Sequence, residues 1–161
     1  AFLLGETRDE LGGSEYLSLI GETGGTPPRV APTAARARYT ALAGAIAAGE
    51  VASCHDCSDG GLGVALAETA FAGGYGLDVD LSALDGLTNE AALFSESASR
   101  LVATVRPHLA DAFAARFGDG HCYRIGRVTE APTLHVTLPD GMTFQASLDE
   151  LKAAWQEPLA I

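Results

Sequence analysis

A histidine, two carboxylates, a hydroxyl and two glycines occur together within residues 55–61. An apolar, helix-like pattern begins directly after them, so this group predicts a helix N-terminus that faces something polar. We expect Ser58 or Asp59 to cap the helix with its side chain, and the glycines to allow other backbone to approach its first N–H groups. Such a terminus attracts anions, which makes phosphate a candidate ligand. The residues of this group are His55, Asp56, Ser58, Asp59, Gly60 and Gly61.

The alternative interpretation of the same group is structural. Ser58 and Asp59 would then only cap the helix, and His55 and Asp56 would only hold the loop in place. Helix caps of this kind are common in proteins, so the spacing alone does not decide between a cap and a ligand site.

A second polar group, Ser95-Glu96-Ser97 with Arg100, lies between two apolar pairs. A charge followed so closely by an apolar strand tends to lie at the edge of a sheet, where loops carry function. A solvated loop without a function is the alternative for this segment.

Two further segments could bind ligands. The glycine pair in residues 12–15 is a weak phosphate signal, because such pairs are frequent in loops. Asp78 and Asp80 lie two apart on a predicted strand and could hold a cation, although an exposed strand face explains them as well.

Three cysteines, an odd number, do not describe a disulfide framework and favour a reducing compartment. Cys54 and Cys57 form a Cys-x-x-Cys pair, and His121-Cys122 could in principle complete a four-ligand zinc site. Nothing else has the spacing of a structural zinc site or of a thioredoxin-type redox site. Small, partly buried thiols are therefore the favoured interpretation.

The composition excludes several classes of protein. At 161 residues, 47% hydrophobic and 19% charged, the chain should form one domain over residues 1–161. The formal net charge of −11 repels phosphate backbones and anionic lipids, so neither nucleic acid nor a membrane is expected as a partner. We expect a soluble, cytoplasmic protein. The chain begins without Met and without a secretory signal, which suggests a piece of a longer protein.

Strands and helices interleave along the whole sequence, which predicts the α/β (α+β) class with a mixed β-sheet packed against helices. Pro139-Asp140-Gly141 predicts a turn between the last two strands. The predicted strands are residues 1–4, 51–54, 77–81, 101–105, 123–128, 133–138 and 142–147. The predicted helices are residues 33–48, 60–72, 88–94, 107–117 and 148–155, with a short helix capped by Ser14 and ending near residue 20. The segment from Glu6 to Glu15 is predicted as a surface loop.

Three segments, residues 5–16, 55–62 and 93–100, together resemble the C-terminal part of the phosphoribosylformylglycinamidine synthases. The similarity is to the C-terminal domain of the second repeat of these enzymes, within the aminoimidazole ribonucleotide synthetase-related superfamily. It extends over nearly the whole chain. The three segments together are specific for this family, whereas any one of them alone would not be.

The resemblance implies an ATP-dependent carbon–nitrogen ligase of purine biosynthesis, which converts formylglycinamide ribonucleotide, glutamine and ATP to the amidine, glutamate, ADP and phosphate. ATP and magnesium are cofactors of the full-length enzyme, and none is expected to bind this fragment tightly. The partners implied are the N-terminal halves of the same synthetase and, in the short bacterial form, a glutaminase subunit and a small accessory subunit. The fragment alone should be inactive, with neither catalytic residues nor metal ligands of its own.

On this resemblance, one set of residues faces the missing half of the enzyme and its nucleotide or substrate. A non-catalytic structural or docking module is one alternative, and the equivalent domain of a related synthetase or kinase is another. The segment Gly12 to Tyr16 argues against the related enzymes. Cys57 stands where the family usually has an aliphatic residue, which favours a role in the core. The facing residues are His55, Asp56, Ser58, Asp59, Gly60, Gly61, Glu96, Ser97 and Arg100.

Overall fold

The computed structural model describes residues 1–118 and 121–159. Within them the chain forms eight strands and six α-helices. The strands are β1 (Phe2–Leu4), β2 (Val51–Asp56), β3 (Gly76–Asp80), β4 (Leu101–Val105), β5 (Cys122–Arg124), β6 (Gly126–Thr129), β7 (Thr133–Thr137) and β8 (Thr143–Ser147). The helices are α1 (Glu15–Leu19), α2 (Pro32–Ala47), α3 (Gly61–Gly73), α4 (Asn89–Phe94), α5 (Ala110–Ala115) and α6 (Leu148–Gln156).

The strands form two four-stranded sheets. The first has the order β2-β4-β1-β5 and is antiparallel throughout. The second has the order β6-β3-β7-β8, in which β3 and β7 run parallel while the two outer pairs are antiparallel. The predicted α/β class with a mixed sheet is confirmed, and the division into two sheets is what the sequence pattern did not indicate.

One predicted strand is wrong in a way that explains this division. Residues 123–128 alternate like a single strand, but the chain passes from the first sheet to the second at Ile125. The Ile125 N–H donates to the Ala1 carbonyl at 3.1 Å, whereas its own carbonyl accepts from the Asp80 N–H at 2.7 Å. Alternation reports which side chains are buried and carries no information about which sheet receives the hydrogen bonds.

The short strand β1 lies between the two halves of the core. Leu3 belongs to a cluster with Leu62, Leu66 and Val102, on the side covered by α3. Phe2 and Leu4 point the other way, because successive side chains of a strand alternate between its faces. They pack with the residues of a second cluster, namely Leu42, Ala45, Ala103, Ala110, Phe113 and Phe117.

Local signals for helix ends and turns are mostly confirmed. Ser14 caps α1 by accepting from the Leu17 N–H at 3.3 Å, and Ser147 forms a capping box with Glu150 at the start of α6. The predicted turn is present, since the Gly141 N–H donates to the Leu138 carbonyl at 3.0 Å. The helix predicted from residue 107 begins as a 3₁₀ turn and becomes α-helical only at α5.

None of the described helices is long and apolar enough to cross a membrane.

Candidate functional site

One carboxylate joins all three segments that the sequence singles out. Glu96 Oε1 accepts from the backbone N–H of Gly60 and from that of Glu15, each at 2.9 Å. The Glu96 N–H in turn donates to the Glu10 carbonyl at 3.3 Å. Hydrogen bonds to an ionised acceptor are among the stronger ones in proteins. Glu96 therefore holds the starts of α1 and α3 together, and we call residues 5–16, 55–62 and 93–100 the three-segment cluster.

Arg100 lies inside this cluster, with 1% of its surface exposed. Its Nε donates to the Ser97 carbonyl at 3.1 Å and its Nη1 to Thr7 Oγ1 at 2.9 Å, and its Nη2 donates to the Ser95 carbonyl. Burial lowers the pKa of Arg100, although arginine stays charged at neutral pH. The guanidinium thus ties the third segment, residues 93–100, to the first, residues 5–16, from within, whereas the sequence predicted that Arg100 lies on a ligand-facing surface.

Ser97 is also enclosed, at 1% exposure. Its hydroxyl accepts from the Arg8 N–H at 3.1 Å and lies 3.4 Å from the Arg8 carbonyl, to which it can donate. The alternative of a solvated loop for residues 95–100 is therefore wrong. The prediction of a surface loop before α1 is wrong in the same way, because Glu10 and Ser14 are buried there.

The two glycines at the start of α3 adopt the left-handed conformation, with φ of +76° at Gly60 and +66° at Gly61. A Cβ on Gly61 would lie 2.3 Å from the Ser95 carbonyl oxygen, so the predicted close approach of other backbone is confirmed. The glycine pair at residues 12–15 has a similar role, since a Cβ on Gly12 would lie 2.7 Å from the Thr26 carbonyl carbon.

The predicted cap of α3 by a side chain of its own loop is wrong. Gly60 is the N-cap, and within the described part of the chain no side chain caps this helix. The Ser58 carbonyl accepts from the Gly61 N–H at 3.0 Å, and the Gly60 N–H is taken by Glu96. A carboxylate distant in sequence thus binds the N–H at which a local cap was expected.

This leaves Ser58 and Asp59 exposed, and their side chains make no hydrogen bond to any residue that the structure describes. Asp56 is exposed beside them, with its Oδ1 3.6 Å from His55 Nδ1. We call Asp56, Ser58 and Asp59 the open edge of the cluster. The Ser58 hydroxyl and the Asp59 carboxylate, which have no side-chain partner among the described residues, and the exposed Asp56 carboxylate beside His55 are available there for contact with another molecule.

His55 lies at the end of β2, and its ring contacts α3 rather than Glu96. Its Nε2 lies 2.7 Å from Glu68 Oε2, and Glu68 Oε1 accepts from Trp155 Nε1 at 2.8 Å. The histidine therefore belongs to a chain of hydrogen bonds that attaches α6 to α3. Sequence reasoning missed Glu68, because a single acidic residue in the middle of a helix resembles an ordinary exposed position.

Among the residues that the structure describes, the cysteines are not placed together as metal ligands. Cys57 is part of the core, and burial raises its pKa to about 11. Burial also raises the pKa of Cys122 to about 11. Cys54 is exposed, so the expectation of partial burial fails for it. The described residues contain no group of three or more side chains placed to hold a metal ion.

Asp78 and Asp80 are engaged within the chain. Asp78 accepts from Arg127 Nη2 at 2.9 Å and lies 3.0 Å from His135 Nδ1, which lowers its pKa. Asp80 accepts from the Ser82 N–H at 2.9 Å. The exposed strand face, and not a cation site, is the interpretation that agrees with these contacts.

Comparisons with known proteins agree with the resemblance. The model of one family, described as "AIR synthase related protein, C-terminal domain", matches residues 1–139. The curated "Phosphoribosylformylglycinamidine synthase subunit PurL" of Moorella thermoacetica is 38% identical over an alignment of 162 positions, which covers 99% of this chain and 22% of that protein. The protein of the same name from Thermobifida fusca is 52% identical over 107 residues, 66% of this chain and 14% of that protein.

Solved structures show the same fold. The structure described as "T. maritima PurL complexed with FGAR" has a TM-score of 0.79 at 20% identity, over 93% of this chain and 27% of that chain. The hydrogenase maturation protein HypE of E. coli has a TM-score of 0.63 at 20% identity, over 91% of this chain and 48% of that chain. The chain spans between 14% and 22% of the length of the two curated relatives.

Proposed function

The chain belongs to the family of AIR synthase related protein C-terminal domains, and from this we propose that it is the C-terminal domain of the second repeat of a phosphoribosylformylglycinamidine synthase. The complete enzyme would be an ATP-dependent carbon–nitrogen ligase that converts formylglycinamide ribonucleotide, glutamine and ATP to the amidine, glutamate, ADP and phosphate. The names of the curated relatives, matched over 99% of this chain in one case, support this choice over the related synthetases and kinases.

The observation that carries the proposal is the pair of hydrogen bonds that Glu96 accepts. They hold the three segments of the resemblance in one cluster, and Asp56, Ser58 and Asp59 are exposed at its edge. Glu96, Ser97, Arg100, Gly60 and Gly61 give the cluster its shape. The open edge would then face the N-terminal halves of the synthetase, and the cluster would be one wall of a site that those halves complete.

ATP and magnesium would act in the complete enzyme. Structures of the Thermotoga maritima relative are described as complexes with ATP, ADP and AMPPCP, which supports nucleotide use by that protein. The side chains described in this chain do not offer a magnesium site, since no three potential ligands come together. The ion and the nucleotide phosphates would be held by other parts of the longer protein.

The proposed partners are parts of the same synthetase and two further subunits. A Thermotoga maritima structure described as PurLQS supports an assembly with the glutaminase and the small accessory subunit for that relative. Among the described surfaces we propose the open edge for the first of these contacts, the one with the N-terminal halves.

A purely structural or docking module is the second candidate. The internal hydrogen bonds of Arg100 and Ser97 favour it, because these two residues hold the fold and are not free to contact a substrate. The two candidates differ in what the exposed residues do, since a docking module needs the shape of the cluster and not the chemistry of its open edge.

We expect the purified 161-residue chain to show no turnover with formylglycinamide ribonucleotide, ATP and ammonia, because it supplies only one wall of the site. The same chain should support turnover when it replaces the matching segment of the Moorella thermoacetica protein. The measurement is amidine formation by the chain, by this chimera and by the unaltered relative under identical conditions.

The control is the chimera in which the exchanged segment carries Gly61→Ala, which disturbs the junction between α3 and the Ser95 carbonyl. It should be much less active than the unsubstituted chimera. Turnover by the isolated chain would contradict the claim of an incomplete site. A folded chimera without activity would contradict the assignment to this synthase.

A further inference from the structure

A small basic pocket lies at the first turn of α2, and we propose that it binds an oxyanion, either a phosphate or a carboxylate group. The pocket is lined by Arg8, Arg29 and Arg38, together with small residues of the α2 N-terminus and of the loop at Ser99. The proposal rests on these residues alone and does not depend on the proposed synthase function.

The charge of the lining is the first argument. The whole chain has only 10 basic side chains of the Lys and Arg type against 21 acidic ones, yet three of its arginines line this pocket. Glu6 is its one acidic lining residue, and it pairs with Arg8 at 2.6 Å. The buried Glu10 lies nearby, with its Oε1 3.8 Å from Arg8 Nη1. Even when this carboxylate is counted with Glu6, three arginines stand against two carboxylates. The pocket is thus a local positive region on an acidic protein, and such regions attract anions.

Arg38 is the second argument, because it is a buried cation with an unused donor. Only 8% of Arg38 is exposed. Its Nη1 donates to the Ser99 carbonyl at 2.8 Å, while its Nη2, which is not closed to solvent, makes no hydrogen bond to any residue that the structure describes. A guanidinium N–H without an acceptor in a pocket lining is available to an oxyanion, and a hydrogen bond between two charged groups is among the stronger ones.

The helix itself is the third argument. Ala31, Ala34 and Ala35 of the first turn line the pocket, and Ala31 is the N-cap. In the described chain no side chain caps this end of α2, which is 16 residues long. The uncapped N–H groups and the positive end of the helix dipole therefore point at the same region as the arginines.

The size of the pocket limits what it can hold. Its volume is about 30 Å³, which is room for about two water-sized oxygens and not for a nucleotide. A neighbouring cavity of about 180 Å³ shares Ala34, Arg38 and His121 with it and continues toward Phe117. Both oxygens of a carboxylate, or two of the oxygens of a phosphate, fit the pocket, and the rest of the group would extend into the neighbouring cavity.

The test is a titration of the ¹⁵N-labelled 161-residue chain with inorganic phosphate and, separately, with acetate, at constant ionic strength maintained with sodium chloride. The Arg38 Nε–H and the Ala34 backbone N–H resonances should shift and saturate with at least one of the two anions. The anion that saturates identifies the oxyanion as phosphate or carboxylate. No saturation with either anion would overturn the proposal.

Three variants make the test specific. Arg38→Met should abolish the saturable shift of the Ala34 resonance. Arg29→Gln should weaken binding by about tenfold, because it removes one charge from the lining. The Arg29 side chain is exposed, and the hydrogen bond that this residue donates to Glu10 uses its backbone N–H. This variant therefore tests the site even if Arg38→Met does not fold.

The matched control is Arg36→Gln, at an exposed position of α2, which should leave the affinity unchanged. Equal weakening by Arg36→Gln and Arg29→Gln would show non-specific charge attraction and overturn the proposal.

Discussion

Replacing Gly61 with alanine should lower the free energy of unfolding of the chain by about 3 kcal/mol or more. The left-handed backbone, with φ of +66°, disfavours any residue with a Cβ. In addition, that Cβ would lie 2.3 Å from the Ser95 carbonyl oxygen and 2.9 Å from the Leu93 carbonyl oxygen. Both are backbone atoms, so they cannot move aside without shifting the end of α4. The measurement is urea unfolding of the wild-type and variant chains.

Gly74→Ala is the matched control for this prediction. Gly74 ends the same helix, α3, with nearly the same φ of +70°, but a Cβ there would have no atom within 4 Å. Its cost should therefore be only that of the left-handed conformation, about 1 kcal/mol. Equal losses for the two variants would contradict the account of Gly61, because they would leave nothing for the contact with the Ser95 carbonyl to explain.

The second large effect is expected from Arg100→Met, which should destabilise the chain by about 3–5 kcal/mol. Methionine fills part of the same space but donates no hydrogen bond. The Ser97 carbonyl, the Ser95 carbonyl and Thr7 Oγ1 would each lose a donor in a region closed to water. Urea unfolding monitored by far-UV circular dichroism gives the free energy, and an unchanged dependence on urea concentration shows that the comparison is valid.

Arg106→Met provides the control, because Arg106 is exposed and the substitution removes the same charge. It should change the free energy of unfolding by no more than about 0.5 kcal/mol. If Arg100→Met does not fold, Arg100→Lys replaces it, since lysine keeps the charge but cannot reach all three acceptors with a planar fork. A loss from Arg100→Met similar to that from Arg106→Met would mean that the buried hydrogen bonds of Arg100 contribute little to the fold.

The parts of this structure that follow local rules were predictable from the sequence. The cap at Ser14, the turn ending at Gly141 and the buried strand β1 each depend on residues within a few positions of one another. The same is true of the close approach at Gly61, because a glycine pair before a helix indicates a crowded or left-handed backbone. The family resemblance indicated that the three segments, residues 5–16, 55–62 and 93–100, belong together.

What could not be predicted depends on contacts between distant parts of the chain. The loop at Ser58 looked like a local cap, but Glu96, 36 residues later, binds the Gly60 N–H instead. The alternation through Ile125 did not show that its two backbone groups bond to different sheets. The burial of Arg38 has one signal in the sequence, namely a cation on the inner face of an alanine-rich helix. Each error comes from a partner that local spacing does not specify.

We propose that the open edge of the three-segment cluster serves the amidation, while the rest of the cluster holds the fold. The most direct measurement is amidine formation by the Moorella thermoacetica chimera with Asp59→Ala, beside the control Asp85→Ala at another exposed position. We expect Asp59→Ala to lower kcat by about tenfold or more without changing the melting temperature, and Asp85→Ala to leave both unchanged. Unaltered turnover in Asp59→Ala, or a loss that its melting temperature parallels, would contradict the claim and leave the domain a structural one.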